Sequence, residues 1–145
     1  MRQAGADPVV MLIASAGYDN YNTTIATSKK LATEKKDLVQ RFVNASLEGW
    51  AEYLKGGAAA EPANALIKKD NPDMSDDKIA YAIKVMNEAG IVRSGDALTL
   101  GIGAMTDERW ARFYAAISAV DVVPKGIDPK KGYSLEFVNK GVGKA

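Results

Sequence analysis

From Thr33 onward the apolar residues adopt helical spacing, and this constrains the chain more than any other feature. Val39, Val43, Leu47, Trp50 and Leu54 recur at steps of three or four, with Leu38, Phe42 and Ser46 beside them. That spacing predicts a helix with a wide apolar stripe over about five turns, stopped by Gly56-Gly57. A stripe of that length must be buried against something.

Further helices follow from local chemistry. Pro62 suits a first helical turn, and the segment through Ala65-Leu66-Ile67 to Lys68-Lys69 reads as a second helix. Asn71-Pro72-Asp73 is a turn. Ser75 reads as an N-cap with Asp76 and Asp77 favourably set against the helix dipole, Ile79, Ile83 and Met86 form the apolar face, and Gly90 is the stop. Ile91 to Gly103 reads as loop with one short extended piece. Thr106 caps a last helix whose apolar face is Trp110, Phe113, Tyr114 and Ile117. The remaining tail is irregular after Val123-Pro124, with Tyr133 to Val138 as a docked extended segment.

The first thirty residues carry a different pattern. Val9-Val10-Met11-Leu12-Ile13-Ala14 is a continuous apolar run with β-branched members, as in a strand buried on both faces. Thr23 to Thr27 is a second strand candidate. Two strands cannot make a self-sufficient sheet. The expected class is therefore α/β, a helix-rich fragment of a larger fold with two strands followed by about four helices.

Composition narrows the chemistry. The chain has no His and no Cys, which removes thiolate nucleophiles, His-based triads, His- or Cys-ligated zinc and disulfides. With 19 Lys+Arg against 18 Asp+Glu, the net charge of +1 gives no basic excess for nucleic acid. Val9–Ala14, the longest apolar run, is far short of the roughly twenty residues that span a bilayer. Arg2 is a start charge, but Asp7-Pro8 interrupts any secretory leader. The expectation is a binding protein, not an enzyme, with no cofactor and no metal. A carboxylate hydrolase is the weakest reading, since no Asp/Glu pair stands out.

Three blocks carry a resemblance. The first is Gly17-Tyr18-Asp19-Asn20-Tyr21 with Thr23-Thr24-Ile25, then Leu38 to Val43 and Ala45-Ser46-Leu47-Glu48-Gly49-Trp50. The second runs from Ile91-Val92 through Gly95-Asp96 to Gly101-Ile102-Gly103-Ala104-Met105-Thr106-Asp107-Glu108-Arg109-Trp110. The third is Tyr133-Ser134-Leu135 with Phe137 to Gly141. Together they resemble the C-terminal half of periplasmic solute-binding proteins of ABC transporters, in the sulfonate, nitrate and thiamine-pyrimidine branch. The resemblance implies a two-lobed type II binding-protein fold, with residues 1–16 as the last strand of one lobe, 17–22 as the hinge and 23–145 in the other lobe. It further implies a periplasmic location, a small organic or oxyanion solute and a permease partner. The family's N-terminal half and leader would lie outside this sequence. A piece of this kind is expected to self-associate, as a homo-oligomer or strand-exchanged dimer. The other reading is a small helical interaction module derived from such a protein, without a ligand.

At a hinge, Tyr18 and Tyr21 could stack on a planar ligand and Asp19 could accept from an amine. The alternative is a tight turn at Gly17 in which the tyrosines only pack. For Thr106, capping is favoured over an anion site, because Asp107 and Glu108 already occupy the dipole end. Asp73, Asp76 and Asp77 lack calcium-loop spacing and read as a solvated cap. Lys29-Lys30 and Lys35-Lys36 read as the solvent face of a helix start, and Trp50 and Trp110 as core.

Overall fold

The computed structural model describes residues 5–144; Arg2 and the first residues of the 1–16 segment lie outside them. Every regular element among the described residues is helical, and there is no strand or sheet. The α/β expectation is corrected to an all-helical architecture. Val9–Ala14 forms no strand: a single 3-10 turn runs from Ile13 to Ala16, and Val9 and Met11 are 88% and 86% exposed. Thr23 has φ of 58°, in the left-handed region that a β-branched strand residue avoids. The physical reason is pairing. A strand satisfies its backbone only through a neighbour, and neither apolar segment finds one here.

The described residues divide into two units, one of residues 5–24 and 106–134, the other of residues 25–105 and 135–144. The second holds five helices: α1 (Lys29–Glu34), α2 (Lys36–Tyr53), α3 (Gly57–Asp70), α4 (Asp76–Glu88) and the single turn α5 (Ala97–Leu100). The Lys29-Lys30 start is a helix of its own, capped where Leu31 N–H donates to Ser28 Oγ at 3.1 Å. Lys35, at φ −130° and ψ 45°, separates it from α2. In α4 the Lys78 N–H donates to Ser75 Oγ at 3.3 Å, the cap expected from sequence.

Two departures stand out, and the first has a simple cause. Helix α3 begins at Gly57 rather than Pro62 and carries the proline inside it. Ala58 to Ala60 are the best helix formers, and Ala60 is fully buried against Ile79 and Ile83, so packing extends the helix backward past the proline. Helix α5 replaces the extended piece expected between Ile91 and Gly103.

The core of this unit lies along α2. Val39, Val43, Leu47 and Leu54 pack with Ile102 and Phe137, and Met86 also touches the smaller cluster of Ala60, Ile79 and Ile83. Trp50, expected in the core, is 41% exposed and lies edge-on to Tyr53 with centroids 6.1 Å apart. The cover over α2 is therefore incomplete at Trp50 even though Val39 and Val43 on the same line are buried. Residues 135–143 dock by turns and side-chain bonds rather than as an extended segment. Gln40 Nε2 donates to the Phe137 carbonyl at 3.0 Å. The Asn139 amide accepts from Met105 N–H at 3.1 Å and donates to Met105 O at 2.8 Å.

The first unit is built on α6 (Asp107–Ala119). Its Thr106 cap forms as expected, with Oγ1 accepting from Arg109 N–H at 3.3 Å. Gly17, at φ 93°, ends the 3-10 turn in a conformation that favours glycine, and its N–H donates to Ala14 O at 3.1 Å. The Tyr114 hydroxyl donates to Pro124 O at 3.1 Å and accepts from Ile127 N–H at 3.0 Å, folding the loop after α6 back onto it. Trp110, Phe113, Tyr114 and Ile117 on α6 are half-buried rather than buried.

Candidate functional site

The three site residues expected from sequence converge on α6, within the first unit. Tyr18 meets Phe113 edge to face, with ring centroids 5.2 Å apart. Tyr21 lies against Trp110 at 5.1 Å. One Asp19 carboxylate oxygen pairs with Arg109 Nη2 at 2.7 Å, and the other lies 3.6 Å from Arg112 Nη2. Phe113, Arg109 and Arg112 come from neighbouring turns of α6, so one helix face collects the whole segment.

Arg109 is the organising residue, and sequence reasoning missed it. Its Nη2 donates to the Asn20 carbonyl at 2.9 Å, and its guanidinium sits 4.3 Å from the centroid of the Tyr21 ring. It therefore holds the 18–21 turn by charge, hydrogen bond and cation–π contact together. The Tyr21 hydroxyl accepts from Thr106 N–H at 2.8 Å, occupying one of the donors that α6 leaves open at its start. With Thr106 Oγ1 taking another, the α6 terminus is capped from within.

A second missed group supports the first from behind. Tyr133 stacks on Trp110 with centroids 4.8 Å apart and planes 9° from parallel. Its hydroxyl donates to Asp107 Oδ1 at 2.5 Å, while Lys130 Nζ lies 2.9 Å from Asp107 Oδ2. No local signal joins positions so far apart in sequence. The Trp110 indole N–H is buried without an acceptor.

These contacts set a titration. The Tyr133 hydrogen bond, then Lys130, holds Asp107 below the usual carboxylate range. The same bond pushes Tyr133 up to about 12. The Asp107 contribution to stability is present above the ordinary carboxylate pKa and is lost as pH falls through the lowered folded value. The Tyr133 contribution is full below its ordinary value of 10.0 and is lost as pH rises through about 12. An ultraviolet tyrosinate titration is expected to show a late phenol step that Asp107→Asn moves down toward 10. A late step indifferent to that substitution would show that the pair does not form.

The Asp19 side chain remains 41% exposed beside these partners. Among the described residues no group of acidic side chains is placed to hold a metal ion. Asp76 instead pairs with Lys68 at 2.6 Å. A separate groove of about 680 Å³ lies in the second unit, lined by Leu54, Gly56, Asn64, Lys68, Ile83 and Asn87. None of Tyr18, Asp19 and Tyr21 lines it. Among the described residues no helix is long and apolar enough to cross a membrane.

No curated protein and no solved structure matches the chain. The family described as NMT1/THI5 like matches residues 1–62, a stretch that contains Tyr18, Asp19 and Tyr21 and all of α1 and α2. Over those residues the chain is similar to the NMT1/THI5-like family.

Proposed function

We propose that the chain is a substrate-binding component of an ABC importer, which captures a small organic or oxyanion solute and passes it to a permease without catalysis. The similarity over residues 1–62 carries this reading. In it, Tyr18, Asp19 and Tyr21 contact the solute, and residues 17–22 act as a hinge between residues 1–16 and residues 23–145 in a periplasmic protein. Two arginines facing one carboxylate leave a net positive charge at the turn, which suits the oxyanion end of a sulfonate or nitrate.

A thermal-shift series with nitrate, an alkyl sulfonate, a thiamine pyrimidine precursor and a purine tests it. A solute present at a hundred times its Kd adds about 2.7 kcal/mol, a rise of about 5–10 °C in Tm. Tyr21→Phe is expected to reduce that rise, and Asp19→Asn to reduce it for an amine-bearing solute such as the thiamine pyrimidine precursor while sparing or enlarging it for nitrate and the sulfonate. If no solute shifts a chain that melts cooperatively, the reading fails. A small helical interaction module without a ligand then stands in its place, as the all-helical architecture and the internal partners of Asp19 and Tyr21 favour.

A further inference from the structure

The outer side of α2 carries a second apolar row that nothing in the second unit covers. Leu38 and Phe42 are 47% and 61% exposed. Ala45 and Gly49 continue the row at the next helical steps, on the side away from Val39, Val43 and Leu47. A glycine in mid-helix weakens the helix. Gly49 has no internal reason to be there, since a Cβ added to it would meet nothing within 4 Å. Without a side chain, Gly49 leaves room on this face for a second backbone or side chain to approach closely.

We propose that this face docks a second copy of the chain, α2 against α2, antiparallel about a two-fold axis. The row is complementary to itself in that arrangement. A register that sets Phe42 over Ala45 of the second copy also sets Leu38 over Gly49 of the second copy, so each large side chain meets a small one. A two-fold axis keeps like flanks together. Arg41 and Glu48 share one flank, and in this register Arg41 comes within about 3 Å, along the axis, of Glu48 of the second copy. The opposite charges meet twice, once on each side of the axis. Arg41 pairs within its own helix with Asp37 at 2.9 Å, an exposed contact weak enough for Glu48 of the second copy to share. No charged residue interrupts the row from Leu38 through Phe42 and Ala45 to Gly49 itself. Three helical turns cover less than the roughly 800 Å² per partner of a standard interface, so the pair is reversible.

Sedimentation equilibrium of the full chain from about 10 µM to about 1 mM tests the proposal. The mass is expected to rise from 15.5 kDa toward twice that value. Phe42→Glu and Gly49→Gln are expected to hold it at one chain. Gly49→Gln also strengthens the helix, so circular dichroism separates lost pairing from lost folding. Arg41→Glu is expected to weaken pairing about tenfold, and adding Glu48→Arg to restore it. A one-chain mass at every concentration overturns the proposal. So does pairing that ignores both Phe42→Glu and the charge swap, which would place the contact elsewhere, such as at the exposed Val9–Ile13 segment.

Discussion

Replacing Phe137 with alanine is expected to lower the stability of the second unit by about 3–5 kcal/mol, the usual cost of emptying a large aromatic site in a packed core. Phe137 is 8% exposed and belongs to the same cluster as Val39, Val43, Leu47, Leu54 and Ile102. Among residues 135–144 it is the buried member of this core, with Val138 and Val142 packed against the same cluster and partly exposed. The bonds around it are polar and partly exposed: Gln40 to its carbonyl, Asn139 to Met105, and Lys36 to Glu136 at 2.6 Å. Exposed pairs of the last kind contribute at most about 1 kcal/mol, so they cannot hold the segment without the ring. Urea unfolding followed by circular dichroism gives the number. A loss below about 1 kcal/mol would mean that α2 finds its cover elsewhere.

Gly101→Ala is expected to cost about 2–4 kcal/mol, by backbone strain and by collision. Gly101 has φ of 98°, where L side chains are strained, and an added Cβ would lie 2.6 Å from Val142 O and 2.9 Å from Val142 N. Those are backbone atoms and cannot rotate away. The collision falls where Ile102 N–H donates to Val142 O at 2.9 Å and Gly141 N–H donates to Leu100 O at 2.9 Å. Hydrogen exchange at Ile102 and Gly141 is therefore expected to accelerate in the variant. Unchanged protection at both amides would show that the 141–142 segment shifts without cost. Gly49→Ala is the control: its φ is ordinary and the space is open, so the same change there is expected to stabilise by up to about 1 kcal/mol in the single chain.

The helices were readable because their signals are local. Val39, Val43 and Leu47 are buried as their spacing requires, Ser75 and Thr106 cap as their position requires, and Ile79 and Ile83 face inward. The same periodicity could not say how much of a stripe would be covered. Trp50 falls in line with Val43, seven positions before it, yet is 41% exposed, while Leu38 and Phe42 lie to the side of the stripe and are more exposed still. For the candidate site, residue types alone singled out Tyr18, Asp19 and Tyr21, and the structure gathers them on one helix. The partners that hold them were not readable. Arg109 is about ninety positions further along the chain, and an arginine on a helix face is ordinarily a solvated one.

By itself the sequence located four helices, α2, α3, α4 and α6, fixed where α4 and α6 begin, and picked out most of the inward residues of α2 and α4. Each of those outcomes is settled within a turn or two, because a helix satisfies its backbone with residues four positions away. The sequence could not determine the state of Val9–Ala14. A β-branched apolar run becomes a strand only if a neighbour supplies the ladder, and that neighbour can come from anywhere in the chain. Tertiary structure alone decided that none does among the described residues. It also decided that Arg109 holds the 18–21 turn and that Tyr133 closes on Asp107. Contacts between distant positions depend on how elements pack, and no local pattern encodes that.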